Sequence, residues 1–194
     1  MNEQDLIQGL IARNENAFRW LVNSYRDRVF STTVHILQST EEAEDAAQET
    51  FIKVYESISS FKGESSLSTW IYRIAVHKAL DKLRRRKLRQ RLRKWLPGWM
   101  PAEETSAGTS ASNEFHHPGV LLDNKEKAAI LFRAIRSLPE KQRAAFTLVK
   151  VQGMSYDEAA AVTGQSVKAL ESLITRAKIN LQKQLASLHK HAIS

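Results

Sequence analysis

Between Asn14 and Trp95 the chain carries a single glycine, Gly63, and no proline, and its apolar residues recur at three- and four-residue spacing. A stretch that long, with few backbone breakers and that period, satisfies its peptide groups and buries its side chains together only as packed helices. The spacing predicts a short helix from Asp5 to Arg13. A long one follows from Glu15 to Gln38, with Phe18, Leu21, Val22, Tyr25, Val29 and Phe30 facing a core. Ser39 and Glu42 have the spacing of a capping box. The helix they open keeps its period through Ala43, Ala46, Ala47, Phe51, Val54, Tyr55 and Ile58, up to a break at Phe61-Lys62-Gly63-Glu64. A fourth helix, capped by Ser66 or Ser68, has two apolar faces at 100° per residue. Leu67, Trp70, Ile71 and Ile74 lie on one, Tyr72, Val76, Ala79 and Leu83 on the other, so this helix is expected to pack on two sides. Arg73, His77, Asp81 and Arg84 form a polar stripe between them.

From Leu96 to Gly119 the texture changes to Pro, Gly, Ser, Thr and Ala, with Glu103, Glu104 and Glu114 and no Lys or Arg. That composition marks an acidic, flexible linker over residues 96–120. Helical periodicity returns at Leu121 and runs to Arg136. A break at Leu138-Pro139 precedes a helix to Lys150, and Ser155 and Glu158 give a second capping-box spacing before a short helix. Gly164-Gln165 then turns the chain, and Ser166 caps a last helix reaching Leu185 or beyond. The expected fold is all-α: two small helical domains, residues 1–95 and 121–194, joined by the linker.

Charge is as uneven as texture. Lys78 to Lys94 holds ten Lys or Arg against one acid, Asp81, more positive charge than the net +8 of the whole chain. Such a block is an electrostatic footprint for a polyanion, although a solvated helix end would carry the same residues. Nearby Phe61, Trp70 and Tyr72 add rings that could stack on unpaired bases while cations hold phosphates. Trp70 shares the Leu67, Ile71 and Ile74 face, which favours core packing for it over base contact. The segment SYDEAAAVTGQSVKALESLITRAK has helix-turn-helix grammar: a capped helix, small alanines at the crossing, a glycine turn and a capped second helix. An ordinary helical hairpin has the same outline. In the DNA-binding reading the start of the second helix faces base edges, which nominates Gln165, Ser166, Lys168, Glu171, Ser172 and Thr175, with Arg176 and Lys178 nearer phosphates.

Other chemistry finds little support. The chain has no cysteine, which removes disulfides, thiol catalysis and cysteine-ligated zinc and suits a reducing cytosol. Its N-terminus is acidic and amphipathic, neither a signal peptide nor a membrane span. Glu41, Glu42, Glu44, Asp45 and Glu49 spread around their helix with no histidine beside them, as a solvated or protein-binding face would. His77 stands alone, and His116-His117 fall in the linker. No nucleophile with its base, phosphate-cradling glycine loop or metal ligand set is visible, so the chain is not expected to be an enzyme or to hold a cofactor or metal.

Four segments in order, EDAAQETFIKVY (44–55), STWIYRIAVHKALDKLRRRK (68–87), LPEKQRAAFTLVKVQGMSYDEAA (138–160) and SVKALESLITRAKINL (166–181), resemble the extracytoplasmic-function branch of the sigma-70 family. The resemblance implies a region-two domain that binds bacterial core RNA polymerase and opens the minus-ten element, and a region-four domain that reads the minus-thirty-five element. Its polymerase-binding residues would be Asp45, Gln48, Glu49 and Phe51. The minus-ten reader would be the loop from Phe61 through Lys62 to Ser66, with Arg73, His77, Asp81, Arg84 and Arg85. It further implies a cytoplasmic protein that contacts duplex and melted promoter DNA, an anti-sigma factor as partner, and an acidic linker lying near nascent RNA. His77 stands where many members carry asparagine, and Glu171 and Leu173 where lysine and arginine are commoner. Glu171 could read a cytosine amino group or pair with a nearby cation. A one-component helix-turn-helix regulator is the alternative function; a helical adaptor for lipid or RNA is a third.

Overall fold

A computed structural model of the chain describes residues 2–95 and 122–191, with side chains described over 2–95 and 128–186. The linker expected at 96–120, with Glu103, Glu104, Glu114 and His116-His117, lies outside the described residues. Among those described, all regular structure is helical.

Four helices make up the N-terminal half: α1 (Glu3–Ile11), α2 (Glu15–Leu37), α3 (Thr40–Ser57) and α4 (Leu67–Trp95), with a 3₁₀ turn at Ile58–Ser60. Local chemistry sets their starts. Asn2 Oδ1 accepts from Asp5 N–H at 2.7 Å, which opens α1 earlier than the apolar period alone suggested. Ser39 Oγ accepts from Glu42 N–H at 3.3 Å, but this capping box is half-made. The Glu42 carboxylate is drawn instead to Arg86, at 3.0 Å. Of the two candidate caps for α4, Ser66 serves: its Oγ accepts from Thr69 N–H at 3.2 Å. Gly9 allows α1 and α2 to approach closely, since a Cβ there would sit 2.8 Å from that of Ala17.

The C-terminal half contains α5 (Leu122–Arg136), α6 (Glu140–Phe146), a π turn (Thr147–Val151), α7 (Tyr156–Thr163) and α8 (Val167–His191). The sequence suggested one regular helix to Lys150. Instead α6 gives way to the wider turn, where Gln152 N–H donates to Thr147 O at 2.9 Å and Thr147, Leu148 and Val149 are all buried. That i→i+5 bond replaces the i→i+4 register of the regular helix the spacing predicted.

The two faces of α4 meet different partners. Leu67 and Ile71 are buried, with Trp70 and Ile74 packed beside them, in a cluster formed by α1 to α4 that includes Leu6, Leu10, Leu21, Phe51, Val54 and Ile58. Tyr72, Val76, Ala79 and Leu83 enter a second cluster. That one holds Ile36 and Leu37 of α2 together with Ala144, Leu148, Ala160, Val162, Leu170 and Ile174 from the C-terminal half. Two-sided packing of α4 is therefore as the angular layout predicted, and its second side is the seam between the halves. A third, small cluster joins Ala134, Ile135 and Leu138 to Ala177 and Leu181 of α8.

Candidate nucleic-acid interface

The helix-turn-helix is built by caps at both ends of α7. Ser155 Oγ accepts from Glu158 N–H at 3.2 Å while the Glu158 carboxylate accepts from Ser155 N–H at 2.8 Å, completing the box predicted there. That backbone hydrogen bond from Ser155 holds the Glu158 carboxyl below its usual pKa. Gly164 ends α7 at φ 66°, the left-handed region that glycine enters without a Cβ penalty. Ser166 Oγ then accepts from Ala169 N–H at 3.3 Å and starts α8. Leu170, Ile174, Ala177 and Leu181 are buried, a stripe at four- and three-residue intervals. It turns Lys168, Glu171, Ser172, Thr175 and Arg176 outward, all exposed, with Gln165 half-buried at the turn. The Thr175 hydroxyl donates back to Glu171 O at 2.9 Å. Glu171 itself has no ion pair among the described residues.

The basic block is the C-terminal part of α4. From Arg84 to Trp95 every residue is exposed except Arg86, which is half-buried. Not all of its cations are free. Arg84 pairs with Asp81 at 2.9 Å, Arg86 with Glu42 at 3.0 Å and Lys87 with Glu140 at 2.9 Å. Arg85 is exposed, as are His77 and Lys62, while Phe61 is half-buried with its ring 5.4 Å from that of Trp70. Trp70 is thereby held to the core side, by its own helix face and by Phe61. Arg73 does not point into solvent with the rest of its stripe: Nε and Nη2 donate to Ala161 O of α7, at 3.1 and 2.8 Å.

The acids of α3 are organised in a way their spread along the sequence concealed. Glu42, Asp45 and Glu49 share one helix face, and opposite them on α4 stand Lys78, Lys82 and Arg86. Lys78 reaches Glu49 at 3.2 Å, and Lys82 reaches Glu49 at 3.0 Å and Asp45 at 3.6 Å. Partial burial works to raise the Glu49 pKa, but hydrogen bonds from Lys82 and Lys78 outweigh it and hold the carboxyl below its usual value. The matching intervals, three and four on one helix against four and four on the other, were the signal for this ladder. Gln48 is exposed on the same helix. Phe51, expected to touch a partner, is instead buried in the N-terminal core, where its ring anchors α3. One turn beyond Gln48, Ile52 is 57% exposed, an apolar side chain on the outer face that the sequence did not single out.

No group of three or more His, Cys, Asp or Glu among the described residues could hold a metal ion.

Comparison with known proteins matches each half separately. Residues 21–89 fit Sigma-70 region 2, and residues 128–181 fit Sigma-70, region 4. The RNA polymerase sigma-H factor of Pseudomonas aeruginosa is 31% identical over 190 residues, 98% of this chain and 97% of that protein. The chain belongs to the sigma-70 family, in its extracytoplasmic-function branch. The ECF RNA polymerase sigma-E factor of Escherichia coli K12 is 34% identical over 188 residues, 97% of this chain and 96% of that protein. Among solved structures, CnrH in complex with the cytosolic domain of CnrY covers 95% of this chain and 97% of its own, with a TM-score of 0.66 at 22% identity. The sigma factor RpoE of Bartonella quintana, in complex with the anti-sigma factor NepR, covers 87% of this chain and 96% of its own, with a TM-score of 0.67 at 21% identity. Both share the fold. The protein is thus an RNA polymerase sigma factor, whose partners are core polymerase and promoter DNA, and its family consists of initiation factors. Among the described residues of the sigma factor, no helix is long and apolar enough to cross a membrane.

Proposed function

We propose that this sigma factor divides promoter recognition between α4 and α8 and docks on core polymerase through the outer face of α3. On α3, Asp45, Gln48 and Glu49 offer carboxylates and an amide, with Ile52 as an apolar neighbour and Phe51 as the buried support beneath. Asp45 and Glu49 pair with lysines of α4, yet their side chains stay 59% and 43% exposed, which leaves carboxylate edges for a basic partner surface on polymerase. On the minus-ten side, the loop carrying Phe61 and Lys62 and the α4 residues Arg73, His77, Asp81, Arg84 and Arg85 would hold the opened strand, cations on phosphates and a flipped base in the loop. On the minus-thirty-five side, Gln165, Ser166, Lys168, Glu171, Ser172, Thr175 and Arg176 would enter the major groove. The absence of an ion pair at Glu171 among the described residues supports base readout there rather than charge pairing.

The observation that carries this division is the arrangement of α8, just after a glycine turn: Leu170, Ile174, Ala177 and Leu181 are buried on one side, and Lys168, Glu171, Ser172, Thr175 and Arg176 are exposed on the other. The factor adds no catalytic step of its own, works in the cytoplasm, and is regulated by an anti-sigma partner. The linker acids Glu103, Glu104 and Glu114 would lie along the path of nascent RNA as an anionic mimic.

Run-off transcription on fragmented genomic DNA, with core polymerase alone and with core plus the protein, tests the reading. Discrete new transcripts together with tight core binding are expected. A specific footprint by the protein alone, with no affinity for core, would instead establish the one-component regulator. Within that assay, replacing Arg84, Arg85 and Arg86 by alanine should weaken promoter opening and flatten its salt dependence, by about one unit of slope for each phosphate that is no longer neutralised. An unchanged slope would remove these residues from the interface.

A further inference from the structure

Beyond Lys87, which pairs with Glu140, no residue of α4 joins an apolar cluster or an ion pair among the described residues. Yet this end of the helix is not uniformly polar. Leu88, Leu92 and Trp95 are all exposed, Trp95 by 84%. Their spacing of four and three places them in one line along the helix. That ridge does not continue the buried face. Leu83, the last α4 residue in an apolar cluster, points about 140° away from Leu88.

Cations frame the ridge. At 100° per residue, Arg85 and Arg89 border one edge, and Arg84 and Arg91 the other. Arg93 and Lys94 occupy the side behind it. Of these, Arg85, Arg89, Arg91, Arg93 and Lys94 carry no ion pair among the described residues. No acid stands between Asp81 and Glu103 in the sequence to offset them. From Arg84 to Trp95 the helix therefore presents about 18 Å of cationic surface with an apolar ridge running through it.

The combination selects between polyanions. A nucleic acid would take the cations on its phosphates and could stack a base on Trp95, but its charged backbone offers Leu88 and Leu92 nothing apolar to bury against. An anionic bilayer surface uses every part. Leucine and tryptophan side chains enter the boundary between headgroups and acyl chains, where tryptophan is favoured. The arginines lay their apolar stems along that boundary and reach the lipid phosphates with their guanidinium groups. The segment is too charged to cross a membrane and would lie in the plane of the surface.

We propose that the C-terminal end of α4, from Leu88 to Trp95, is an interfacial membrane-binding segment that recognises anionic phospholipid and holds the sigma factor peripherally on a bilayer surface. The proposal is independent of how the promoter contacts are divided between α4 and α8.

The test mixes the full chain with vesicles of phosphatidylglycerol and phosphatidylethanolamine, or of phosphatidylcholine alone, and measures bound protein by flotation. Binding to the anionic vesicles and not to phosphatidylcholine is expected. Replacing Leu88, Leu92 and Trp95 together by glutamine removes the ridge at constant charge, and because all three are exposed the unfolding midpoint should not move. This variant should lose vesicle affinity about tenfold or more while its affinity for single-stranded DNA stays within about twofold. A second variant, Arg89→Gln with Arg91→Gln, Arg93→Gln and Lys94→Gln, should weaken vesicle binding by on the order of fivefold for each cation removed. No binding of the natural chain to anionic vesicles, equal binding to phosphatidylcholine, or a ridge variant that binds anionic vesicles as well as the natural chain overturns the proposal. Equal losses on vesicles and on single-stranded DNA in the ridge variant would assign the segment to nucleic acid and overturn it as well.

Discussion

The two halves of this sigma factor are unequal in what they own. The N-terminal four helices enclose a cluster with Leu21, Val29, Val54, Ile58, Leu67 and Ile71 at its centre, to which no described residue of the C-terminal half contributes. Among the described residues, the C-terminal four helices have only Ala134, Ile135, Leu138, Ala177 and Leu181 as a buried cluster of their own, and the rest of their buried apolar residues belong to the cluster shared with α2 and α4. A small domain has too little interior to be strongly stable by itself. The N-terminal half is thus a self-sufficient scaffold, whereas the C-terminal half buries most of its apolar residues together with its neighbour.

That asymmetry can be broken most forcefully in the scaffold. Ile71→Ala, in the private core, should cost about 2–5 kcal/mol by denaturant unfolding. A loss below about 1 kcal/mol would mean that this core is not the scaffold's main support. Arg143→Ala, at the seam, should cost less, about 1–3 kcal/mol, because the missing hydrogen bonds to Ile36 O and Leu138 O are offset by removing a desolvated cation. It should also raise amide exchange in α6 and α7 while leaving α1 protected. Ser155→Ala removes half of the capping box and should cost about 1 kcal/mol, with amide exchange rising at the start of α7 alone. Equal exchange increases across both halves in either variant would show that they unfold as one unit.

The smallest effect belongs to the ladder between α3 and α4. Glu49 is well solvated and Lys82 partly so, and Lys82→Met should change stability by less than about 1 kcal/mol. Its clearer signature is electrostatic: the Glu49 carboxyl, now held below its usual pKa, should titrate higher in the variant, measured by NMR. A carboxyl with a lowered folded-state pKa contributes stability at pH above its unfolded value and loses it as pH falls through the lowered value. Lys82→Met should therefore reduce the acid sensitivity of the N-terminal half, and an unmoved Glu49 titration would show that Lys82 is not its dominant partner.

Much of the architecture was legible before any coordinates. The long stretch without proline, the stripes on α2 and α3 and the paired capping signals at Ser155 and Glu158 are local statements, and local hydrogen bonding honours them. The helix-turn-helix was equally local: a glycine that can adopt φ 66° at position 164 and a stripe from Leu170 to Leu181 orient the exposed face of α8 without help from afar. The candidate polymerase and minus-ten residues were less legible. Phe51 carries the period of a core residue and the family position of a contact, and it is core; Ile52 carries no signal at all and is exposed; Asp45 and Glu49 look solvated but face lysines. One helical step of 100° separates Phe51 from Ile52, and only the placement of α1, α2 and α4 around α3 decides which of them is covered.

What the sequence by itself determined was therefore the set of helices, the caps that start α7 and α8 and the two apolar faces of α4, since these depend on periodicity and on hydrogen bonds a few residues apart. The tertiary structure alone decided what covers the second of those faces. Tyr72, Val76, Ala79 and Leu83 announce that they must be buried, but apolar burial is non-directional and names no partner. The partner is a surface far along the chain, carried by residues such as Leu148, Ala160 and Leu170, and its choice turns Arg73 from a free cation into a donor to the Ala161 carbonyl.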